Sequence, residues 1–245
     1  MTMVYNSDSL MGKNIAITGA TKGIGRATAT LLSSLGANLL IGARNENELK
    51  ELASLLSDNS GNTVYQYLNV EEENSIIEFL NHGLSKLGDI DALVNSAGYG
   101  TFNSFLDLTT EEFDRMISVN LRGTFLTSKH FAKHMVENKR GQIININSIA
   151  GNTVLSGNAG YSASKFGLLG LTKVMQLELR KQGVYVTSIL PGSTNTEFWD
   201  HIENHPDRTK MIPTETIAMN IAAILAQPEG AVIEEITITP PLGVL

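Results

Sequence analysis

The chain has 245 residues, 42 % hydrophobic and 18 % charged, with 18 Lys and Arg against 25 Asp and Glu, a formal charge of −7 and no cysteine. A chain this apolar and this weakly charged buries a core instead of staying disordered, and its negative field repels nucleic-acid phosphates. The missing cysteines exclude disulfides, thiolate metal sites and thiol nucleophiles. Residues Met1–Leu10 have no basic start and carry Asp8 where a signal segment needs apolar residues. Nowhere do the roughly 20 apolar residues of a membrane span follow one another. A cytoplasmic protein, binding neither membrane nor nucleic acid, is expected.

Short runs rich in Val, Ile and Leu alternate with longer segments of helical period. In chain order they are strand Asn14–Thr18, helix Ile24–Leu35, strand Asn38–Ala43, helix Glu46–Ser57, strand Thr63–Asn69, helix Glu71–Lys86 and strand Ala92–Asn95. Helix Thr110–Asn138, strand Gln142–Ser148, helix Tyr161–Gln182, strand Val184–Leu190, helix Thr214–Ala226 and strand Glu235–Thr239 complete the series. Strict alternation requires parallel pairing through right-handed crossovers. The expected fold class is therefore α/β: a doubly wound (Rossmann) parallel seven-stranded sheet with helices on both faces, one domain over 1–245.

The first strand meets the first helix at Thr18-Gly19-Ala20-Thr21-Lys22-Gly23-Ile24-Gly25. Side chains at these glycines would block a tight turn or hold a pyrophosphate off the backbone amides and the positive helix start. Arg26-Ala27 follows where a P-loop needs Lys-Ser or Lys-Thr, which weakens an ATPase or kinase reading. The second strand ends Ile41-Gly42-Ala43-Arg44-Asn45, with no acid before Glu46 to accept a ribose 2′-OH. Arg44, with Lys22 as a second cation, suits a 2′-phosphate, so NADP(H) is preferred and NAD(H) is possible. A solvated arginine at a strand end is the plainer alternative.

Ser148 closes the fifth strand, and Tyr161 and Lys165 share one face of the next helix at a spacing of four. A free phenol has a pKa of about 10, and a nearby ammonium lowers it. The pairs His130/His134 and His201/His205 have helical spacing but no accompanying Glu or Cys of a metal motif, so no metal is expected. Gly160-Tyr161-Ser162-Ala163-Ser164 misses the serine-hydrolase elbow at its last residue.

In this order Gly19-x3-Gly23-x-Gly25, Asn95-Ser96-Ala97-Gly98, Asn120, Ser148, Tyr161-x3-Lys165 and Pro191-Gly192 resemble the short-chain dehydrogenase/reductase family over nearly the whole chain. The resemblance implies that Tyr161 is the general acid/base, that Ser148 hydrogen-bonds the same substrate oxygen, and that Lys165 reaches the nicotinamide ribose and depresses the tyrosine. Asn120 would hold a proton-relay water. The cofactor would touch Gly19, Thr21, Lys22, Gly23, Ile24 and Gly25 at its phosphates and Arg44 at the 2′ position. Asn69, Val70, Asn95, Ala97 and Gly98 would face its adenine side, and Pro191 and Gly192 its nicotinamide. Thr194 and Thr196 would meet the carboxamide or pyrophosphate. Ser96 and Asn69 depart from the family's usual Asn and Asp, with only modest changes in cofactor affinity expected.

By the same resemblance, residues 193–213, carrying Phe198, Trp199 and Met211, form a lid over the substrate, and their aromatics suggest a partly apolar ketone or aldehyde. A hydrophobic anchor for the loop is the plainer alternative. The expected activity is NADP(H)-dependent interconversion of a carbonyl compound and a secondary alcohol. One alternative is a 3-oxoacyl-[acyl-carrier-protein] reductase. Lys139 and Gln182 stand where those enzymes usually have arginines, Ile236–Leu245 lacks their Gly-Gly turn, and the −7 charge opposes an acidic carrier. The other is a non-catalytic NADP-sensing regulator, against which Tyr161 and Lys165 speak. Helices Thr110–Asn138 and Tyr161–Gln182 resemble those of subunit interfaces in relatives, so a homo-oligomer, dimer or tetramer, is expected.

Overall fold

Alternation within the strands sorts the apolar side chains to two faces. In the computed structural model, which describes residues 7–202, 205–228 and 230–243, Ile15, Ile17, Leu39 and Ile41 pack to one side of the sheet, and Ala16, Leu40, Leu93 and Ile143 to the other. The strands are β1 (Asn14–Thr18), β2 (Asn38–Ala43), β3 (Thr63–Tyr67), β4 (Ala92–Asn95), β5 (Gly141–Ile146), β6 (Val184–Pro191) and β7 (Glu235–Ile238). They form one parallel sheet in the order β3-β2-β1-β4-β5-β6-β7. The order reverses between β1 and β4, and in such sheets ligands bind beyond the carboxyl ends of the strands at that reversal.

Helices α1 (Gly23–Ser34), α2 (Glu46–Leu56) and α7 (Thr214–Leu225) cover the first face through Leu32, Leu49, Leu52, Ile217 and Ile221. Helices α3 (Glu73–Leu87), α5 (Thr124–Glu137) and α6 (Ala159–Leu179) cover the second through Ile76, Phe79, Phe131, Met135 and Met175. Each fully buried side chain of this size contributes about 1.5–3 kcal/mol.

The expected helix Thr110–Asn138 is interrupted. It runs as α4 (Thr110–Met116), a π-helical segment Ile117–Gly123 and α5. Along this stretch the Thr124 and Thr127 hydroxyls donate to the carbonyls of Asn120 and Gly123 at 2.9 and 2.8 Å. It also lays Gly123 so close to Val70 that a Cβ there would stand 2.9 Å from the valine methyl. Strand β5 stops at Ile146, so Ser148 lies beyond the strand and not at its end. Strands β3 and β7 stop at Tyr67 and Ile238, and α6 begins at Ala159, two residues before Tyr161.

Candidate active site

The chain leaves β1 through a turn that only glycine fits. Gly19 and Gly23 have φ of +64° and +50°, in the left-handed region that disfavours side chains. A Cβ on Gly19 would stand 2.8 Å from the Ala97 backbone, and one on Gly25 would stand 2.2 Å from the Gly19 carbonyl oxygen. The Thr18 hydroxyl accepts from the amides of Ser96 and Ala97, both at 3.1 Å, and so ties the ends of β1 and β4 together at the reversal point. Lys22, at the start of α1, gives the helix no side-chain cap. One first-turn amide, that of Gly23, instead donates at 3.0 Å to the carboxylate of Glu197. An anion is thus already seated where the helix start attracts one.

This turn floors a cavity of about 870 Å³ that runs from Arg44 to Tyr161, within the range of about 300–1,000 Å³ usual for ligand pockets. Gly19, Thr21, Lys22, Gly23, Ile24, Arg44, Asn69, Val70, Ala97, Gly98, Ser148, Tyr161, Lys165, Pro191, Gly192, Thr194 and Thr196 all line it. Gly25, Asn95 and Asn120 do not. Gly25 packs inside the turn. Asn95 is buried behind it, donating to the Ser128 hydroxyl and the Asn145 carbonyl oxygen, both at 2.9 Å.

Asn120, fully buried in the π segment, has both side-chain N–H groups engaged, with the Tyr99 carbonyl (2.8 Å) and the Ser164 hydroxyl (3.0 Å). Its Oδ1 accepts from the Tyr99 amide at 2.8 Å. The side chain clamps the backbone after Gly98, which itself lines the cavity. Asn69 uses its Oδ1 on the Glu71 amide at 3.2 Å and its Nδ2 on Glu72 at 2.7 Å.

At the far end, Ser148 starts a short 3-10 turn, and its hydroxyl accepts from the Ala150 amide at 3.1 Å. Tyr161 and Lys165 lie one turn apart on α6. The Lys165 ammonium donates to the Ile146 carbonyl at 2.9 Å and stands 5.6 Å from the Tyr161 ring centroid. Burial pushes the Tyr161 phenol up to about 12, and the hydrogen bond with Ser148 works against that rise. Burial lowers Lys165 to about 8. In this geometry burial outweighs the Ser148 hydrogen bond at the phenol, while the Lys165 ammonium is turned to the Ile146 carbonyl.

Aromatic side chains wall this end. Phe102 meets Tyr161 edge-on at 5.7 Å, and Phe198 lies 5.7 Å from Tyr161 and 5.9 Å from Phe102. Trp199 packs on Phe102 at 5.8 Å and donates its indole N–H to the Thr194 carbonyl at 2.9 Å. His201 donates to the Gly100 carbonyl at 3.0 Å. Phe102 has no sequence signal, because the loop carrying it lacks any period, and His201 is marked in sequence only by its spacing from His205. The loop of Phe102 is fixed by Glu112, which accepts from Asn103 and Thr101 and caps α4 through Thr109. The Thr109 amide, chiefly, holds the Glu112 carboxyl below its usual range.

The paired histidines take separate partners: His130 with Glu73 at 2.8 Å and His134 with Asp89 at 2.5 Å. Among the described residues no three His, Asp or Glu side chains converge as metal ligands, and no helix is long and apolar enough to cross a membrane.

Residues 13–207 match the short chain dehydrogenase family. A 3-oxoacyl-[acyl-carrier-protein] reductase FabG of Rickettsia felis is 35 % identical, over 96 % of this chain and 98 % of its own length. An uncharacterized oxidoreductase of Staphylococcus aureus is 36 % identical, over 94 % and 98 %. Among solved structures, an alcohol dehydrogenase of the archaeon Thermococcus sibiricus complexed with 5-hydroxy-NADP has a TM-score of 0.86 at 30 % identity, covering 92 % of this chain and 95 % of that one. A metagenomic short-chain oxidoreductase in complex with NADP has a TM-score of 0.83 at 33 % identity, covering 95 % and 98 %. A fold, a glycine turn and a family match that agree over most of the chain leave one conclusion: this chain belongs to the short-chain dehydrogenase family and is an oxidoreductase.

Proposed function

We propose that the chain reduces a free, partly apolar ketone or aldehyde with NADPH, and runs the reverse oxidation, with Tyr161 as general acid/base. The observation that carries this reading is the convergence of Ser148, Tyr161 and Lys165 on the cavity that the glycine turn floors. The residues fit a dinucleotide. The glycine positions of the turn have no room for side chains, the α1 start already holds a carboxylate, and Arg44 is exposed at the rim with no ion pair among the described residues. The NADP complexes of similar structures support the same choice. When bound, the cofactor supplies or accepts the hydride.

The chain's own residues handle the oxygen and the proton. A phenol raised to about 12 stays protonated at neutral pH, a weaker acid than a free phenol yet still able to give its proton to the far more basic oxygen of an alkoxide. Ser148 hydrogen-bonds that oxygen. Phe102, Phe198 and Trp199 exclude water and favour an apolar substituent on the substrate. Residues 193–213 act as the lid that carries two of these rings. Nicotinamide absorbance over a panel of carbonyls and alcohols, with both cofactors, tests this. Turnover with NADPH on apolar carbonyls is expected, and none on any of them refutes it.

The Rickettsia felis relative favours a second reading, reduction of 3-oxoacyl groups on a carrier protein. The −7 charge and the neutral Gln182 weigh against docking an acidic carrier. Preference for a carrier-bound substrate over its free thioester decides between the two. The same fold exposes Phe125 on α5 and Phe166, Val174 and Leu177 on α6, the last 77 % exposed. These faces support a homo-oligomer, and a monomer in sedimentation refutes that.

A further inference from the structure

The carboxylate seated on the Gly23 amide belongs to the connection between β6 and α7, far along the chain from the turn it caps. Thr196 packs on the same glycine, close enough that a Cβ on Gly23 would meet its side chain at 3.0 Å. Arg208 holds this stretch in one piece, donating to the Asn195 side chain at 2.8 Å, the Thr196 carbonyl at 2.9 Å and the Asp200 carboxylate at 2.7 Å. Two residues past Glu197, Trp199 reaches the aromatic wall of the catalytic end. This stretch thus touches both halves of the cavity.

We infer that Glu197 is a built-in anion that latches this segment onto the phosphate-binding amide, and that cofactor pyrophosphate must displace it. The inference rests on the NADP(H) reading above. The Glu197 carboxylate and a pyrophosphate oxygen seek the same N–H at the same positive helix end, and the two negative groups repel each other, so they exclude one another there. Glu197 thereby lowers the affinity for the dinucleotide and couples its arrival to movement of the segment that walls the substrate end. The effect is common to NADPH and NADH, because both carry the pyrophosphate.

Equilibrium binding of NADPH and NADH, followed by nicotinamide fluorescence, tests this with wild type, Glu197→Gln and Glu197→Ala. Both variants alter an exposed side chain. Gln removes the charge and Ala removes the acceptor. Both Kd values are expected to fall by about three- to ten-fold in each variant, the range that one charge at a helix terminus commands. Trp199 is the only tryptophan, and its emission reads the segment directly. In the free variants it is expected to move toward that of wild type saturated with NADP⁺. Unchanged or weaker binding of both cofactors by the variants overturns the latch while leaving the oxidoreductase reading intact. Tightening confined to NADPH overturns it too, since the effect then belongs to the 2′-phosphate. Wild type that binds neither cofactor overturns both readings.

Discussion

Lys165 donates to the Ile146 carbonyl at 2.9 Å from within the core, 4 % exposed, one helical turn from Tyr161. A cation so placed costs folding free energy as long as it is charged. The sign is set by its depressed value. Unfolded, the ammonium loses its proton near 10.5; folded, near 8. Between those values the unfolded chain binds more protons, so stability rises with pH there, and below about pH 8 the full penalty of about 3 kcal/mol is present.

Lys165→Met removes that titration. The melting temperature of the variant relative to wild type is expected to be constant below pH 8 and to decline as pH rises from 8 toward 10.5. Thermal scans across that range check it. A difference that does not change with pH removes the claim that the buried ammonium is strained by desolvation.

Arg44 precedes Asn45, whose side chain caps α2, and so it is delivered to the cavity rim at a fixed place. Lys22, the second cation considered there, already pairs with Glu48 at 3.4 Å, which leaves Arg44 the stronger candidate for a 2′-phosphate. Arg44→Asp is expected to weaken NADPH binding by about ten-fold or more and to strengthen NADH. Titration of both cofactors against the variant checks this, and equal NADPH affinity contradicts the assignment.

Lys139 follows α5 with φ of +53°, the one non-glycine residue in the left-handed region among those described. Holding a Cβ there costs about 1–2 kcal/mol. Glycine relieves it and gives back part through its looser unfolded chain. Lys139→Gly is expected to raise stability by about 1 kcal/mol, read by chemical denaturation. A loss of stability contradicts the strain.

The sheet was legible because each strand is short, apolar and flanked by helical period, so Ile15 and Ile17 could be assigned before any contact was known. The glycine turn was legible for a steric reason: its positions forbid a Cβ. What sequence could not supply was direction. Tyr161 and Lys165 were placed on one helical face, yet the ammonium turns to Ile146, an acceptor nineteen residues away in the chain. The Asn120 side chain clamps Tyr99, a partner set by the π turn in its helix that no local pattern announces. Glu197 and Phe102 come to the cavity on loops, where spacing carries no information about neighbours.

Proton transfer rests on the Tyr161 hydroxyl. Tyr161→Phe keeps the ring against Phe102 and Phe198 and deletes only that oxygen. NADPH binding and steady-state turnover of the same preparation test it together. A Kd within about two-fold of wild type and a kcat lower by about 10²–10⁴ are expected. A variant that turns over at the wild-type rate contradicts it.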